Sequence, residues 1–283
     1  MSNVLAAAFI GLLSGLHAAC WGMYKDAPHE GFSRRTYSRS AVLGLTIGAA
    51  LGLLVPVNAA AASGAAILFG VIYAIERALA ELYKTFFRQQ DQSRYTIPMQ
   101  FALLGVPVED RLTRGLFGMA YLGVMLGMLA LVYGYQHAAA APQSIYGRVL
   151  VAAAGAWISA FGGAWKDAPI EVFQTLKFFR SPLIAMGWAL VLAHLTPDLV
   201  LLTLAATGYT IATTETSKTF FWPSRPRGKF VGKPVHFPAM LRTRQRVVPL
   251  YVAIWLAVIV AIAVGLRNPV HPVLAEAAEV AHG

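Results

Sequence analysis

Residues 25–40 read KDAPHEGFSRRTYSRS and residues 166–181 read KDAPIEVFQTLKFFRS. Lys25, Asp26, Ala27, Pro28, Glu30, Phe32, Arg39 and Ser40 recur at one constant offset as Lys166, Asp167, Ala168, Pro169, Glu171, Phe173, Arg180 and Ser181. A second echo sets Glu81-Leu-Tyr-Lys84-Thr-Phe-Phe against Glu215-Thr-Ser-Lys218-Thr-Phe-Phe. A weaker third sets Pro98-Met-Gln-Phe101 against Pro234-Val-His-Phe237. The echoed residues are mostly charged, while the apolar segments between them have diverged. Packing alone would preserve size and hydrophobicity, not a Lys-Asp pair with a Glu four residues on, so the repetition points to function.

The medium follows from composition. Of 283 residues, 57% are hydrophobic and 13% charged, with mean hydropathy +0.59. Soluble domains carry roughly 25% charged residues. The chain therefore reads as an all-α integral membrane protein. Its net charge of +10 and pI near 9.9 reflect Lys and Arg gathered in loops that stay in the cytoplasm, and no nucleic-acid partner is expected. The single cysteine, Cys20, excludes an intrachain disulfide and reads as a small packing residue near a span end. The apolar N-terminus lacks a basic leader region, so the first segment is expected to be a retained span rather than a cleaved signal.

Apolar stretches of near-spanning length fall at 3–22, 41–60, 62–83, 115–135, 148–165, 182–196, 198–217 and 247–266, about eight transmembrane helices. Thr196-Pro197-Asp198 is a tight-turn sequence between two of them. The loops 23–40, 84–114, 166–180 and 218–246 hold 20 of the 23 Lys and Arg, and the intervening loops hold none. The positive-inside rule puts all four basic loops in the cytoplasm and both termini outside, as in a bacterial cytoplasmic membrane. Four spans per half is an even number, so the expected architecture is two tandem parallel four-helix repeats, residues 1–140 and 141–267, with 268–283 an extracytoplasmic tail. Every echoed motif then lies on the cytoplasmic face.

Proline suits the first turn of a helix. Pro28 and Pro169 are thus expected to start short interfacial helices on that face, with Asp26/Asp167 just before and Glu30/Glu171 in the first turn, where the helix dipole favours acids. Capping alone explains the acids, but not Lys25 and Lys166. Glu81 and Lys84, like Glu215 and Lys218, share a helix face, and carboxylates at the end of a span are costly enough to suggest an inward role. Glu76 and Arg77 have no second-half match and read as a local pair. Neither His17 nor His236 is duplicated, so no histidine metal site is expected. Gly44, Gly48, Gly52, Gly155, Gly162 and Gly163 read as close-packing positions.

Carboxylates suit Mg²⁺, which binds through one or two of them plus substrate phosphates, and Lys and Arg suit the phosphates. The expected site is composite, on the axis between the halves. Asp26, Glu30, Asp167 and Glu171 hold Mg²⁺. Lys25, Arg39, Lys84, Lys166, Arg180 and Lys218 bind phosphate. Glu81 and Glu215 serve as a general base or as further ligands. The other basic residues of loop 218–246, such as Arg242 and Arg246, read as contacts to anionic lipid.

The layout is loosely similar to intramembrane prenyltransferases, which also place paired acidic motifs on cytoplasmic loops of a duplicated helical bundle. Membrane cytidylyltransferases likewise use Lys-Asp near phosphate. The aspartate-rich signature of the first family is absent here, as is the longer Gly-rich signature of the second, so no residue role carries over. The expected function is a transferase or hydrolase acting on a phosphorylated or pyrophosphorylated lipid, isoprenoid or nucleotide ligand. A two-repeat transporter for an anionic lipid or metabolite and a non-catalytic assembly subunit are the alternatives.

Overall fold

A computed structural model describes residues 2–89, 100–103, 106–138, 144–223 and 230–268, with the backbone alone described for 166–171 and 177. The helices are α1 (Asn3–Glu30), α2 (Arg34–Leu54), α3 (Ala62–Leu82), α4 (Arg111–Gln136), α5 (Ile145–Ala152), α6 (Ala154–Glu171), α7 (Thr175–Leu192), α8 (Leu199–Phe220), α9 (Met240–Thr243) and α10 (Val248–Arg267). The one described sheet is a two-stranded hairpin, Ala102–Leu103 against Val106–Pro107. The protein is all-α, and five of its segments are long and apolar enough to cross a membrane: α1, α2, α4, the α5–α6 run and Met240–Arg267.

Local chemistry starts these helices where it should. The Ser2, Asp110, Ser144 and Asp198 side chains accept from the backbone N–H of Leu5, Thr113, Gly147 and Leu201, satisfying donors that a helix N-terminus leaves orphaned. The Thr196–Asp198 turn forms as read, with Thr196 Oγ1 accepting from the Asp198 N–H at 3.2 Å.

α3 and α8 are not among the five segments long and apolar enough to cross a membrane, and they lie inside the bundle. α3 is buried almost continuously from Ala66 to Ala74, and α8 buries Leu202, Ala205, Ala206, Tyr209 and Ala212. They cross where a Cβ on Gly208 would lie 1.9 Å from the Gly70 carbonyl oxygen, an approach open only to small residues. The Tyr209 hydroxyl donates across the crossing to the Ala66 carbonyl at 2.8 Å. Tyr73, Glu76, Arg77 and Tyr209 are thereby buried inside the protein.

The two ends of the bundle differ. At one end Asn3 Nδ2 donates to the Gly52 carbonyl and Arg148 Nη2 to the Thr196 carbonyl. At the other end the described parts of the basic loops meet. Trp165 Nε1 donates to the Ala102 carbonyl at 3.2 Å, and His29 Nδ1 lies 2.8 Å from the Pro234 carbonyl oxygen.

The expected interfacial helices are absent, a correction to the proline reading. α1 runs without a break through Pro28 to Glu30, and α6 runs through Pro169 to Glu171. A proline in the last turn removes one N–H and so frees the carbonyl four residues back. For Pro28 that carbonyl belongs to Tyr24, and Arg244 Nη1 donates to it at 3.1 Å. The Pro28 carbonyl in turn accepts from the Phe237 N–H at 2.9 Å. The last basic loop thus supplies what the helix lost.

Candidate functional site

Both Lys-Asp-Ala-Pro copies close a helix instead of opening one, which changes the meaning of their acids. A helix C-terminus carries negative partial charge and disfavours carboxylates. Helix capping therefore does not explain Asp26 and Glu30 in α1, nor Asp167 and Glu171 in α6. Past each acid motif the backbone enters the left-handed region, at Gly31 (φ 80°) and at Val172 (φ 64°). The two residues stand at the same offset that relates Lys25 to Lys166. Glycine accepts this conformation freely, whereas a β-branched residue is strained in it.

The structure joins part of the expected set. Lys25 Nζ donates to Glu215 Oε2 at 2.7 Å, across from the first half to the second. Lys218 Nζ lies 3.5 Å from Glu215 Oε1, and Lys84 Nζ donates to Glu81 Oε1 at 3.1 Å, the i,i+3 pairs read from the sequence. Lys25 also lies over the Trp21 ring at 4.4 Å. Arg39 is exposed, whereas Arg180 is partly buried. The side chains of Lys166, Asp167 and Glu171 lie outside the described residues, so the expected Mg²⁺ quartet is described only for Asp26 and Glu30. Among the described residues no three His, Cys, Asp or Glu side chains converge on a common point. Glu215, flanked by two ammonium groups, is already charge-compensated.

A cavity of about 140 Å³ lies between α6, α7 and α8 at this end. Arg180, Ser181 and Gln174 face it from α7 and its N-cap, and Thr210, Thr214, Glu215 and Lys218 from α8. Ser159, Gly163 and the strained Val172 close the α6 side. A Cβ at Gly163 would meet nothing within 4 Å, so this glycine, read as a packing position, instead borders open space. Two cationic side chains, four hydroxyls and an amide surround the cavity beside the Glu215 carboxylate, a donor-rich set able to hold an oxyanion.

The first half holds the same echoed residues around a buried ion pair. Glu76 and Arg77, the pair read as local, are 1% and 7% exposed. Arg77 Nε and Nη2 both donate to the Glu76 carboxylate, Nη2 donates to Ser40 Oγ at 3.1 Å, and the guanidinium sits 5.4 Å from the Trp21 ring centre. At the offset relating Glu81 to Glu215, Glu76 and Arg77 correspond to Thr210 and Ile211, which line the cavity. Ser40 and Trp21 correspond to Ser181 and Gly162. Three large side chains in the first half are thus replaced by Thr, Ile and Gly in the second.

Helix spacing differs in the same direction. α1 and α2 meet so closely that a Cβ on Gly11 would lie 2.1 Å from the Gly44 carbonyl oxygen, and one on Gly48 2.3 Å from that of Ala7. The counterparts of Gly11, Gly15, Gly44 and Gly48 are Ala152, Ala156, Ala185 and Ala189, all fully buried. A methyl group cannot occupy a 2 Å gap, so the α5–α6 run and α7 stand further apart than α1 and α2. Gly44, Gly48, Gly52 and Gly155 do pack as read, with the added Cβ meeting a neighbour within 3 Å in each case.

Sequence reading missed Gln174, Ser181, Thr210 and Thr214 as lining residues. The available signal was the substitution of Glu76-Arg77 by Thr210-Ile211 within an otherwise repeated helix. No protein-family profile, no curated protein and no solved structure matches this chain.

Proposed function

We propose that this chain is a multi-spanning membrane protein whose second-half pocket binds the phosphate of a phosphorylated lipid, isoprenoid or nucleotide. The observation that carries the reading is the cavity into which Arg180, Lys218, Gln174 and Ser181 project from α7 and α8. Arg180 offers a planar fork for two phosphate oxygens and Lys218 a point charge. Glu215, held by Lys25, keeps Lys218 directed along α8 toward the cavity.

The wider architecture belongs to the same reading: about eight spans in two tandem parallel repeats, with the basic loops cytoplasmic and the site on the cytoplasmic face. The reaction class that fits is transfer or hydrolysis at the bound phosphate. Mg²⁺ would be held by Asp26, Glu30, Asp167 and Glu171, acids that helix capping leaves unexplained, and would neutralise charge developing on the phosphate. Glu215, ion-paired with Lys25 and Lys218, fixes those two ammonium groups at the pocket.

Thermal shift of the purified protein in detergent tests this. The ligands are nucleotides, polyprenyl phosphates and phosphatidic acid, each with and without Mg²⁺, on wild type, Arg180→Gln, Asp26→Asn and Asp167→Asn. A shift with one ligand class, abolished in Arg180→Gln, is expected. Its dependence on Mg²⁺ should vanish in either aspartate variant. No shift with any phosphate ligand on a folded wild type would sink the reading.

A further inference from the structure

The phosphate pocket is continuous with a surface of aromatic rings. Phe173 and Phe178 line the pocket, with ring centres 5.7 Å apart. From Phe178 the contacts run on to Phe161 at 5.1 Å and to Trp157 at 5.8 Å, and Trp157 meets Phe179 at 5.6 Å edge-on. Phe161, Phe173 and Phe179 are 63%, 55% and 44% exposed. The rings therefore cover the outside of α6 and the start of α7, beside the polar cavity.

A general aromatic belt at the membrane interface would account for scattered rings at this depth. The first half argues against that account here. At the offset of the Lys-Asp-Ala-Pro motif, Trp157, Phe161, Phe173, Phe178 and Phe179 correspond to Leu16, Cys20, Phe32, Tyr37 and Ser38. Those positions lie in α1, α2 and the turn between them, and only two of the five are aromatic. Five rings stand at these positions beside Arg180 and Lys218, against two in the half that carries Glu76 and Arg77.

We infer that the ring surface is a binding subsite for the apolar chain of a lipid monophosphate, whose headgroup occupies the Arg180–Lys218 pocket and which enters sideways from the bilayer between α6 and α7. This rests on the phosphate reading of the pocket and narrows it to a ligand that arrives in the membrane rather than from water. Flat rings suit a hydrocarbon chain because they present a wide apolar area at small entropic cost. The pocket is too small for more than a headgroup, so the chain must lie outside it, and the rings are the apolar surface that adjoins it.

The deciding experiment measures equilibrium binding of inorganic phosphate and of farnesyl monophosphate to the full chain in nanodiscs of zwitterionic lipid. Wild type should bind farnesyl monophosphate about tenfold or more tightly than phosphate, the scale of one ring's worth of apolar burial. The variants Phe161→Ser and Phe179→Ser alter exposed rings that do not line the pocket. Both should retain phosphate affinity and lose most of the preference for the chain. Arg180→Gln should weaken both ligands. Equal affinities in wild type, or a preference that survives in both ring variants, would overturn the inference while leaving the phosphate pocket standing. Failure of wild type to bind either probe would overturn the phosphate reading and the inference with it.

Discussion

The α1–α2–α3 corner and the α6–α7–α8 corner carry the same echoed charges and use them differently. In the first, a buried Glu76–Arg77 pair sits under Trp21 and clasps Ser40. In the second, Thr210 and Ile211 stand in their place and a cavity remains among Arg180, Ser181, Glu215 and Lys218. Glycine brings α1 and α2 together, and alanine holds the α5–α6 run away from α7. The first-half echo thus forms a buried, ion-paired corner and supplies one lysine, Lys25, that reaches across to Glu215.

That contrast can be broken from either side. The largest effect should come from Glu76→Ala, which strands the buried Arg77 guanidinium. Loss of about 3–5 kcal/mol is expected in reversible unfolding, whereas Thr210→Ala at the corresponding position should cost far less. A small loss for Glu76→Ala would mean that the pair is solvated and the first corner is not closed. Next in size, Thr210→Glu combined with Ile211→Arg transplants the filled corner into the second half. Affinity for a phosphate ligand should fall about a hundredfold, the scale of two lost charge-assisted hydrogen bonds, with the thermal midpoint held or raised. Undiminished binding would place the ligand elsewhere.

The seam comes third. Gly44→Ala inserts a methyl group 2.3 Å from the Gly11 carbonyl oxygen and should destabilise by about 1–3 kcal/mol. Ala185→Gly, at the matching place in α7, should cost no more than about 1 kcal/mol, from added backbone freedom. Equal costs would contradict the difference in helix spacing. Smallest is Val172→Gly, which relieves a left-handed valine at the pocket rim. Stability should rise by about 1 kcal/mol. A fall instead would show that the valine side chain contributes more through contact than it loses through strain.

Much of this site was visible in the sequence as residue types. The Glu81/Lys84 and Glu215/Lys218 pairs follow from helical spacing alone. Glu76 and Arg77 were recognisable as a pair because only one half has them. The role of that pair was not recognisable, since filling a space is a statement about α2 and α1 as much as α3. The proline reading failed for a related reason. Whether Pro28 starts a helix or ends one depends on whether the freed Tyr24 carbonyl finds a donor, and the donor, Arg244, lies in the last basic loop.

The sequence by itself determined the membrane-protein class, the helical make-up, the echoed charges and their gathering into four loops. These are consequences of composition and of periodicities a few residues long. Tertiary structure alone decided that both acid motifs end helices, that Lys25 serves the Glu215 of the other half, and that one corner is filled while its counterpart is open. Those outcomes depend on which side chain from a distant segment reaches an orphaned carbonyl, a carboxylate or a gap first. Such contacts are set by helix spacing of one methyl group more or less, and they leave no periodic trace along the chain.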